Sequence, residues 1–303
     1  MTQLLTLTSR NLKQYLRDKW AVIFSLMSMF IVILLMFLFL GDANTDGITD
    51  LLSHFPGRDA DADAKNAGLL VLAWTCAGII SINAVTVTMS CLSYMIKDRE
   101  SGRLAAIYTA PLSRLTIAAS YILSAWLASV IVCVLTLAVA EIYCVISGMA
   151  PFSVGSHLRL LGMIAANSFT YAALMYLVAA AVKSQGAWGG IGTVISTLVG
   201  FLGGIYFPVG QLSAPIAAVM KCTPVLYGAA LFREEMTREI LGETFRGIPA
   251  EVVEEFREIM GISLSVQGHK LSGWEEIAVL LVCGVLFLAG GAAVVKFGKR
   301  SDR

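Results

Sequence analysis

Six stretches of the chain, each of about 20 residues or more, contain no Asp, Glu, Lys or Arg. A helix needs about 20 mostly apolar residues to cross roughly 30 Å of hydrocarbon. The stretches lack the period-two alternation of barrel strands, so their backbone groups must be satisfied within helices. We therefore predict an all-α integral membrane protein with six membrane-spanning helices, at residues 20–40, 68–95, 117–140, 160–182, 187–209 and 277–295.

The basic residues are distributed unevenly between the connecting segments. They are concentrated before the first stretch, after the second and after the sixth, whereas residues 41–66 carry mainly Asp. Lys and Arg are retained on the cytoplasmic side of membranes, so both termini are predicted to be cytoplasmic. The chain, 1–303, is expected to be a single multi-pass transmembrane domain of a bacterial plasma membrane. No nucleic-acid partner is expected, although the net charge of +1 itself says nothing on this point.

The first stretch is predicted to remain in the membrane as an anchor. It is longer than the 7–15 apolar residues of a signal peptide, and Gly41, Asp42 and Ala43 make a poor cleavage site. Residues 3–18 mix leucines with basic residues. This pattern favours an amphipathic helix at the cytoplasmic interface, with a disordered tail as the alternative.

Two segments on the opposite side are long enough to have structure. Residues 41–66 are polar and rich in Gly and Asp, and are expected to be partly irregular. Residues 210–276 form an outer segment with predicted helices at 224–241 and 249–260, the first ending before Gly242. The apolar side of the second helix needs a cover, either the membrane surface or the rest of the protein.

The chain carries no pattern for catalysis or for a bound cofactor. It has no phosphate-binding loop, no His-Glu-x-x-His and no Gly-x-Ser-x-Gly. Only three His are present, and the six Cys show no metal or disulfide spacing. We therefore predict no catalytic residue, no metal site and no cofactor bound by this chain. The energy for any work must come from a partner or an ion gradient.

A polar stripe follows one face of the second predicted span. Asn83, Thr86, Ser90 and Ser93 are spaced so that they share a helical face. They could line a translocation route, or they could make hydrogen bonds between helices. The two interpretations are equally compatible with the sequence.

Glu141 is the one candidate for the ionisable residue deep in a span that a gradient-driven carrier would usually show. It lies about 36 Å along the third helix, which is the outer interface rather than the midplane. A solvated rim position is favoured over a gate or substrate contact. The fifth span is rich in glycine, which favours close helix packing, and a moving or broken helix is the alternative.

The connection after the second span reads Lys97-Asp-Arg-Glu-Ser-Gly-Arg-Leu-Ala-Ala-Ile-Tyr-Thr-Ala-Pro-Leu-Ser-Arg114. It resembles the coupling segment of the membrane subunits of type-2 ABC exporters, with Arg103 in place of the usual Thr. A second similarity is Phe207-Pro-Val-Gly-Gln-Leu-Ser-Ala-Pro215, followed by Thr223-Pro-Val-Leu-Tyr-Gly-Ala-Ala-Leu-Phe-Arg233. In that family the chain re-enters the membrane from outside at this point.

The resemblance implies a permease subunit of an ATP-driven exporter. Its partners would be a cytoplasmic ABC ATPase, which binds ATP and Mg²⁺, a second permease copy or homologue, and membrane lipid. Glu141, Phe207 and Pro208 would lie at the outer gate or rim. The alternative is a membrane protein that does not transport, such as a sensory or immunity subunit or a membrane-embedded enzyme.

Residues 98–111, here called the coupling segment, would dock into the ATPase. Leu104, Ile107 and Tyr108 share one helical face and are the expected anchors, and Pro111 ends the helix. The alternative is that this face lies on the bilayer surface. The docking residues implied by the resemblance are Glu100, Gly102, Arg103, Leu104, Ile107, Tyr108, Pro111 and Arg114.

Overall fold

The computed structural model of the protein describes residues 2–35, 41–109 and 111–297. A 3-10 turn lies at Val209–Gln211, and a two-stranded antiparallel hairpin is formed by β1 (Ser265–Val266) and β2 (His269–Lys270). The described helices are α1 (Thr2–Arg17), α2 (Lys19–Leu35), α3 (Gly41–Ser53), α4 (Ala60–Glu100), α5 (Arg103–Tyr108), α6 (Arg114–Ile146), α7 (Val154–Ala181), α8 (Gln185–Leu202), α9 (Ala214–Lys221), α10 (Pro224–Thr244), α11 (Ala250–Ile259) and α12 (Gly273–Phe297).

Local capping sets where the long helices begin. The side chains of Asp59, Ser113, Ser153 and Ser184 accept hydrogen bonds from backbone N–H groups in the first turns of α4, α6, α7 and α8, respectively. Asp and Ser are favoured at this position because a helix leaves its first N–H groups without partners. The caps explain why these helices start before the apolar stretches do.

Four of the described helices are long and apolar enough to cross a membrane, namely α4, α6, α7 and α12. The short helix α9 meets α10 at 88°, and together they pass the same test as a broken span or a re-entrant loop. The first predicted span, 20–40, corresponds to α2, whose last five predicted residues lie outside the described part. The structure is that of a helical membrane protein, and the count of six spans stays a prediction.

The fifth predicted span, 187–209, is shorter in the structure. Helix α8 ends at Leu202, where the backbone turns at Gly203 and at Gly204, which has φ +63°. Glycine adopts this left-handed conformation without the steric cost that a side chain imposes. The remaining residues of the prediction run through an irregular stretch into the 3-10 turn.

The segments beside the spans are more helical than the sequence suggested. Residues 41–53 form α3, whose Ile48 and Leu52 are buried, so the expectation of a partly irregular segment holds only for the short link to α4. Helix α10 continues through Gly242 to Thr244, so its predicted end was wrong. Helix α11 lies within the predicted range 249–260, with Pro249 and Met260 as its caps. Its apolar side is covered by the protein, with Phe256 packed on Phe245 at 4.6 Å between ring centroids.

Helix α4 forms the centre of the molecule. In its apolar stretch of 18 residues, 89% are buried by the rest of the chain, against 17% in the corresponding stretch of α12. It contacts α1, α2, α3, α5, α6, α7, α8 and α10. A helix that is apolar on all sides must be covered on all sides, and here that cover comes from the chain itself. The N-terminal α1 is a helix rather than a disordered tail, with Tyr15 and Asn11 buried against the bundle.

Candidate functional site

The coupling segment leaves α4 through a sharp turn at Gly102, which has φ +74°, and continues as the six-residue helix α5. Leu104 is only 4% exposed and packs into the core of its own chain. Ile107 is half-buried, whereas Arg103 and Ala106 are exposed. The short helix and its end before Pro111 agree with the prediction. Leu104 was expected to be exposed as a docking anchor, but it is buried by its own chain.

The other docking residues lie around this helix. Glu100 is exposed and ends α4, and Arg114 is exposed and begins α6. Pro111 is also exposed, after Thr109 has capped α5. Tyr108 ends the helix, but its side chain lies outside the described part. The exposed surface of this region therefore carries charges of both signs.

A buried carboxylate, Asp98, sits at the base of the coupling segment. Its Oδ2 accepts hydrogen bonds from Arg10 Nη2 and from the Tyr121 hydroxyl, both at 2.9 Å. Arg103 Nη1 lies 4.0 Å from its Oδ1. Burial lowers the pKa of Arg10, but the hydrogen bond and charge of Asp98 outweigh that effect and the pKa is raised. One carboxylate thus joins α1, α4 and α6 directly below α5.

Neighbouring side chains extend this network to α7 and α8. Arg99 Nη1 donates to the carbonyl of Ala179 at 3.1 Å and also to that of Val182, at the end of α7. Gln185 Nε2 donates to the carbonyl of Ser93 at 2.7 Å. The backbone N–H of Gln185 donates to Glu100 Oε2 at 3.4 Å. The base of the coupling segment is therefore bonded to four helices besides α4, namely α1, α6, α7 and α8.

The predicted polar stripe on α4 divides into two parts. Asn83 is fully buried and donates from Nδ2 to Thr136 Oγ1 of α6 at 3.0 Å, as expected for an interhelical hydrogen bond. Thr86, Ser90 and Ser93 are half-buried. The Thr86 and Ser93 hydroxyls donate to backbone carbonyls one turn earlier in the helix. Asn83 is thus part of the packing of the bundle, whereas the rest of the stripe borders less crowded space.

A wide cavity of about 940 Å³ lies along α8 and the loop that follows it. The predicted rim residue Phe207 lines it and is 48% exposed, whereas Pro208 is buried at the start of the 3-10 turn. Two of the lining hydroxyls bond within the helix: Thr193 donates to the carbonyl of Gly189 at 3.1 Å and Thr197 to that of Thr193 at 2.8 Å. The residues lining the cavity are Gly192, Thr193, Ser196, Thr197, Phe201, Tyr206 and Phe207.

Glu141, near the end of α6, binds the connection to α7 and the first turn of α7 itself. Its Oε2 lies 2.8 Å from His157 Nε2, and its Oε1 accepts from the backbone N–H of Phe152 at 3.0 Å. This is the end of the molecule opposite the coupling segment, as the count of residues along the helix predicted. Both carboxylate oxygens are engaged in fixing the loop.

Arg233 on α10 is a buried junction that the sequence did not reveal. Its guanidinium is 0% exposed, donates to the carbonyls of Gly203 and Gly204 at 2.9 and 2.8 Å, and lies 4.2 Å from the Trp74 ring centroid. Trp74 Nε1 in turn donates to the carbonyl of Met260 at 2.7 Å. The one sequence feature that pointed to this junction was the position of Arg233 at the end of the motif after the fifth span. The junction could not be predicted from it, because the partners of Arg233 are distant in sequence.

The Ala60 end of α4 is fixed by an ion pair. Arg58 bonds both carboxylate oxygens of Asp63, at 2.7 and 2.6 Å, and donates to the carbonyl of Thr244 at 2.6 Å. The bond to Asp63 raises the pKa of Arg58. The end of α10 is therefore tied to the beginning of α4. Among the described residues, no three His, Cys, Asp or Glu side chains are placed to hold a metal ion.

The helical bundle and its long apolar helices are those of a multi-pass membrane protein. The family model described as ABC-2 type transporter matches residues 2–236. The chain belongs to this family, and it is a membrane permease domain of an ABC transporter. A search of curated proteins finds no match.

Proposed function

We propose that the chain is the permease half of an ATP-driven exporter, powered by a separate cytoplasmic ABC ATPase that binds ATP and Mg²⁺. The observation that carries the proposal is the coupling segment, which projects from the central helix and bonds to four other helices at its base. Such a segment is suited to receive motion from a partner and to pass it to the spans. Family membership supports the ATPase partner.

The docking surface in this proposal is the exposed side of α5. Arg103 and Ala106 lie in its centre, with Glu100 and Arg114 at the rim. Leu104 acts from the inside, because it fixes α5 to the bundle so that the helix and the spans move together. Ile107 is half-buried, so it packs against the bundle and also contributes to the docking surface.

The double substitution Arg103→Glu with Ala106→Glu is expected to abolish association with the ATPase. It reverses one charge and adds another on the docking side and leaves Leu104 in place. Because Arg103 Nη1 also lies 4.0 Å from Asp98 Oδ1, Ala106→Glu alone, which keeps that contact, is tested beside it. Partner groups that face Arg103 would then meet a carboxylate instead, and like or unpaired charges across an interface disfavour association. Affinity co-purification and transport assays measure the effect, and we expect loss of at least about tenfold in bound ATPase.

A matched control is available at the other end of the molecule. Arg246→Glu with Ala250→Glu makes the same chemical change at two exposed positions beyond α10. This variant should bind the ATPase as the wild type does. If the α5 variant also retains the ATPase in full, the docking surface lies elsewhere and the proposal fails.

We place both termini and the coupling segment in the cytoplasm and residues 41–66 and 210–276 outside the plasma membrane of a bacterium. The distribution of Lys and Arg supports this orientation. In a Cys222→Ser background, a cysteine at Ser101 should be protected from an impermeant thiol reagent in intact cells. Cysteines at Asp61 or Glu243 should be labelled. Labelling of position 101 from outside would reverse the topology.

We infer that a second permease copy covers the cavity along α8. Its glycine and hydroxyl residues allow close approach of another helix, and the half-buried Thr86, Ser90 and Ser93 belong to the route in this proposal. Thr197 is exposed at this cavity. Thr197→Cys is expected to form a cross-linked dimer in membranes. Val282→Cys, exposed on α12, is the control, and equal cross-linking at both positions would argue against this interface.

A further inference from the structure

A second, almost wholly apolar groove of about 420 Å³ opens between α6, α7 and α12. Its walls include Leu115, Ala118 and Trp126 of α6 and Leu288 and Ala292 of α12. It is separate from the coupling segment and from the cavity along α8. The proposed transport function assigns no role to this groove.

The walls of this groove are held at a fixed spacing. A Cβ atom at Gly284 would come within 2.8 Å of the Phe169 ring, and one at Gly291 within 3.0 Å of the Tyr176 ring. These two glycines let α12 lie directly on α7, whose Phe169 and Tyr176 also line the groove. Trp126 is fixed from the other side, since its Nε1 donates to the carbonyl of Ala165 at 2.9 Å.

The length of the groove matches one leaflet of a bilayer. Leu115 and Trp126 are separated by about 16 Å along α6, at 1.5 Å per residue. Half of a hydrocarbon core of about 30 Å is roughly 15 Å. An acyl chain that enters beside Leu115 would therefore reach Trp126 at the level of the bilayer midplane.

The end of the groove beside Leu115 is flanked by basic residues. Arg114, Ala118 and Ile122 follow one another at every fourth position along α6, so the wall of the groove continues directly into Arg114. Leu288, Ala292 and Lys296 do the same along α12. Arg114 and Lys296 are both exposed, and both lie at the end that the proposed topology places in the cytoplasm. That leaflet is rich in anionic lipid, and basic residues at its surface attract it.

We propose that this groove binds one acyl chain of an anionic phospholipid of the cytoplasmic leaflet, with Arg114 and Lys296 facing its phosphate. The site depends on the membrane orientation proposed above but not on the ATPase partner. A lipid seated there would bridge α6 and α12, the first helix after the coupling segment and the last helix of the chain. Its binding would hold these two helices together at the level of the coupling segment.

Native mass spectrometry of the full-length protein tests the site, with phosphatidylglycerol as the anionic probe and phosphatidylcholine as the zwitterionic one. The wild type should retain one phosphatidylglycerol in preference to phosphatidylcholine. Ala292→Phe fills the groove and should lower bound phosphatidylglycerol at least about tenfold. Ala293→Phe, the same change on the neighbouring exposed position, should bind as the wild type does.

The charge at the mouth is tested separately. Lys296→Gln should weaken the binding of phosphatidylglycerol about fivefold and reduce the preference for it over phosphatidylcholine. Lys183→Gln, which removes an exposed lysine between α7 and α8, should leave both unchanged. Equal binding of the two lipids by the wild type would overturn the assignment of an anionic ligand.

If Ala292→Phe does not fold, a fluorescence measurement tests whether an acyl chain enters the groove. Phosphatidylglycerol with brominated acyl chains should quench Trp126 in the wild type, and Trp126→Phe should lose that component of the quenching. Identical fractional quenching in both proteins would show that no chain enters the groove. A dimer that dissociates in Ala292→Phe while phosphatidylglycerol remains bound would place a protein helix there and also overturn the proposal.

Discussion

Arg233→Met is expected to lower the free energy of unfolding by about 3 kcal/mol, the largest effect of any single substitution considered for this protein. Methionine fills similar space, but it donates no hydrogen bond. The carbonyls of Gly203 and Gly204 would then be buried without the charged donors that now lie 2.9 and 2.8 Å away. The stacking of the guanidinium on Trp74 would be lost as well. Removal of a buried charge offsets part of this cost.

Thermal unfolding in detergent, followed by size-exclusion chromatography, measures this loss. A change of about 3 kcal/mol corresponds to a fall of roughly 6 °C in the unfolding temperature. Arg238→Met is the matched control on the same helix, because Arg238 is half-exposed and its partner Glu235 keeps a second ion pair with Arg159. Its cost should stay below about 1 kcal/mol. Equal shifts for the two variants would mean that the buried junction contributes no special stability.

Asp98→Asn is expected to release α1 from the base of the coupling segment. The amide has nearly the same shape, but it cannot accept two charge-assisted bonds, so Arg10 and Tyr121 lose their common partner. The expected cost is about 2 kcal/mol. Hydrogen exchange of the α1 amides should accelerate at least about tenfold, because local opening of that helix becomes easier. Transport should fall even where the ATPase still binds.

Asp18→Asn provides the comparison for this change. Asp18 is exposed, lies at the same end of the molecule and accepts from the backbone N–H of Ala21 and the hydroxyl of Tyr94. The hydrogen bond from the Ala21 backbone, followed by that from Tyr94, lowers the pKa of Asp18. Asparagine caps a helix nearly as well as aspartate does, so exchange in α1 should change little. Unchanged exchange in Asp98→Asn would show that α1 is held by its apolar contacts alone.

The sequence predicted the features that depend on neighbouring residues. The apolar stretches identified α4, α6, α7 and α12, and the turn signals located α10 and α11 to within a few residues. The short helix of the coupling segment was also predicted, because Leu104 and Ile107 have helical spacing and Pro111 follows. Boundaries were less accurate, since residues 60–67 are polar yet extend α4 from a capping Asp59.

Features that depend on distant contacts could not be predicted in this way. Leu104 has the pattern of a docking residue, but it is buried by the bundle. Asp98 and Arg233 looked like ordinary charged residues at the edges of motifs, and their partners are distant in sequence, as Arg10 is from Asp98 and Trp74 from Arg233. The end of α8 was misplaced because its glycine turn is stabilised by Arg233, which lies about 30 positions later. Charged groups at such positions are fixed by tertiary structure, not by local pattern.

Helix α4 has a mechanical consequence for the whole molecule. It runs for 41 residues without a proline, which is about 60 Å and roughly twice the thickness of the hydrocarbon core. Asp98 anchors one end beside the coupling segment, and Arg58 with Asp63 ties the other end to α10. The helix is continuous between these two anchors. A tilt or rotation imposed at one end of α4 should therefore be carried along the helix to the other end.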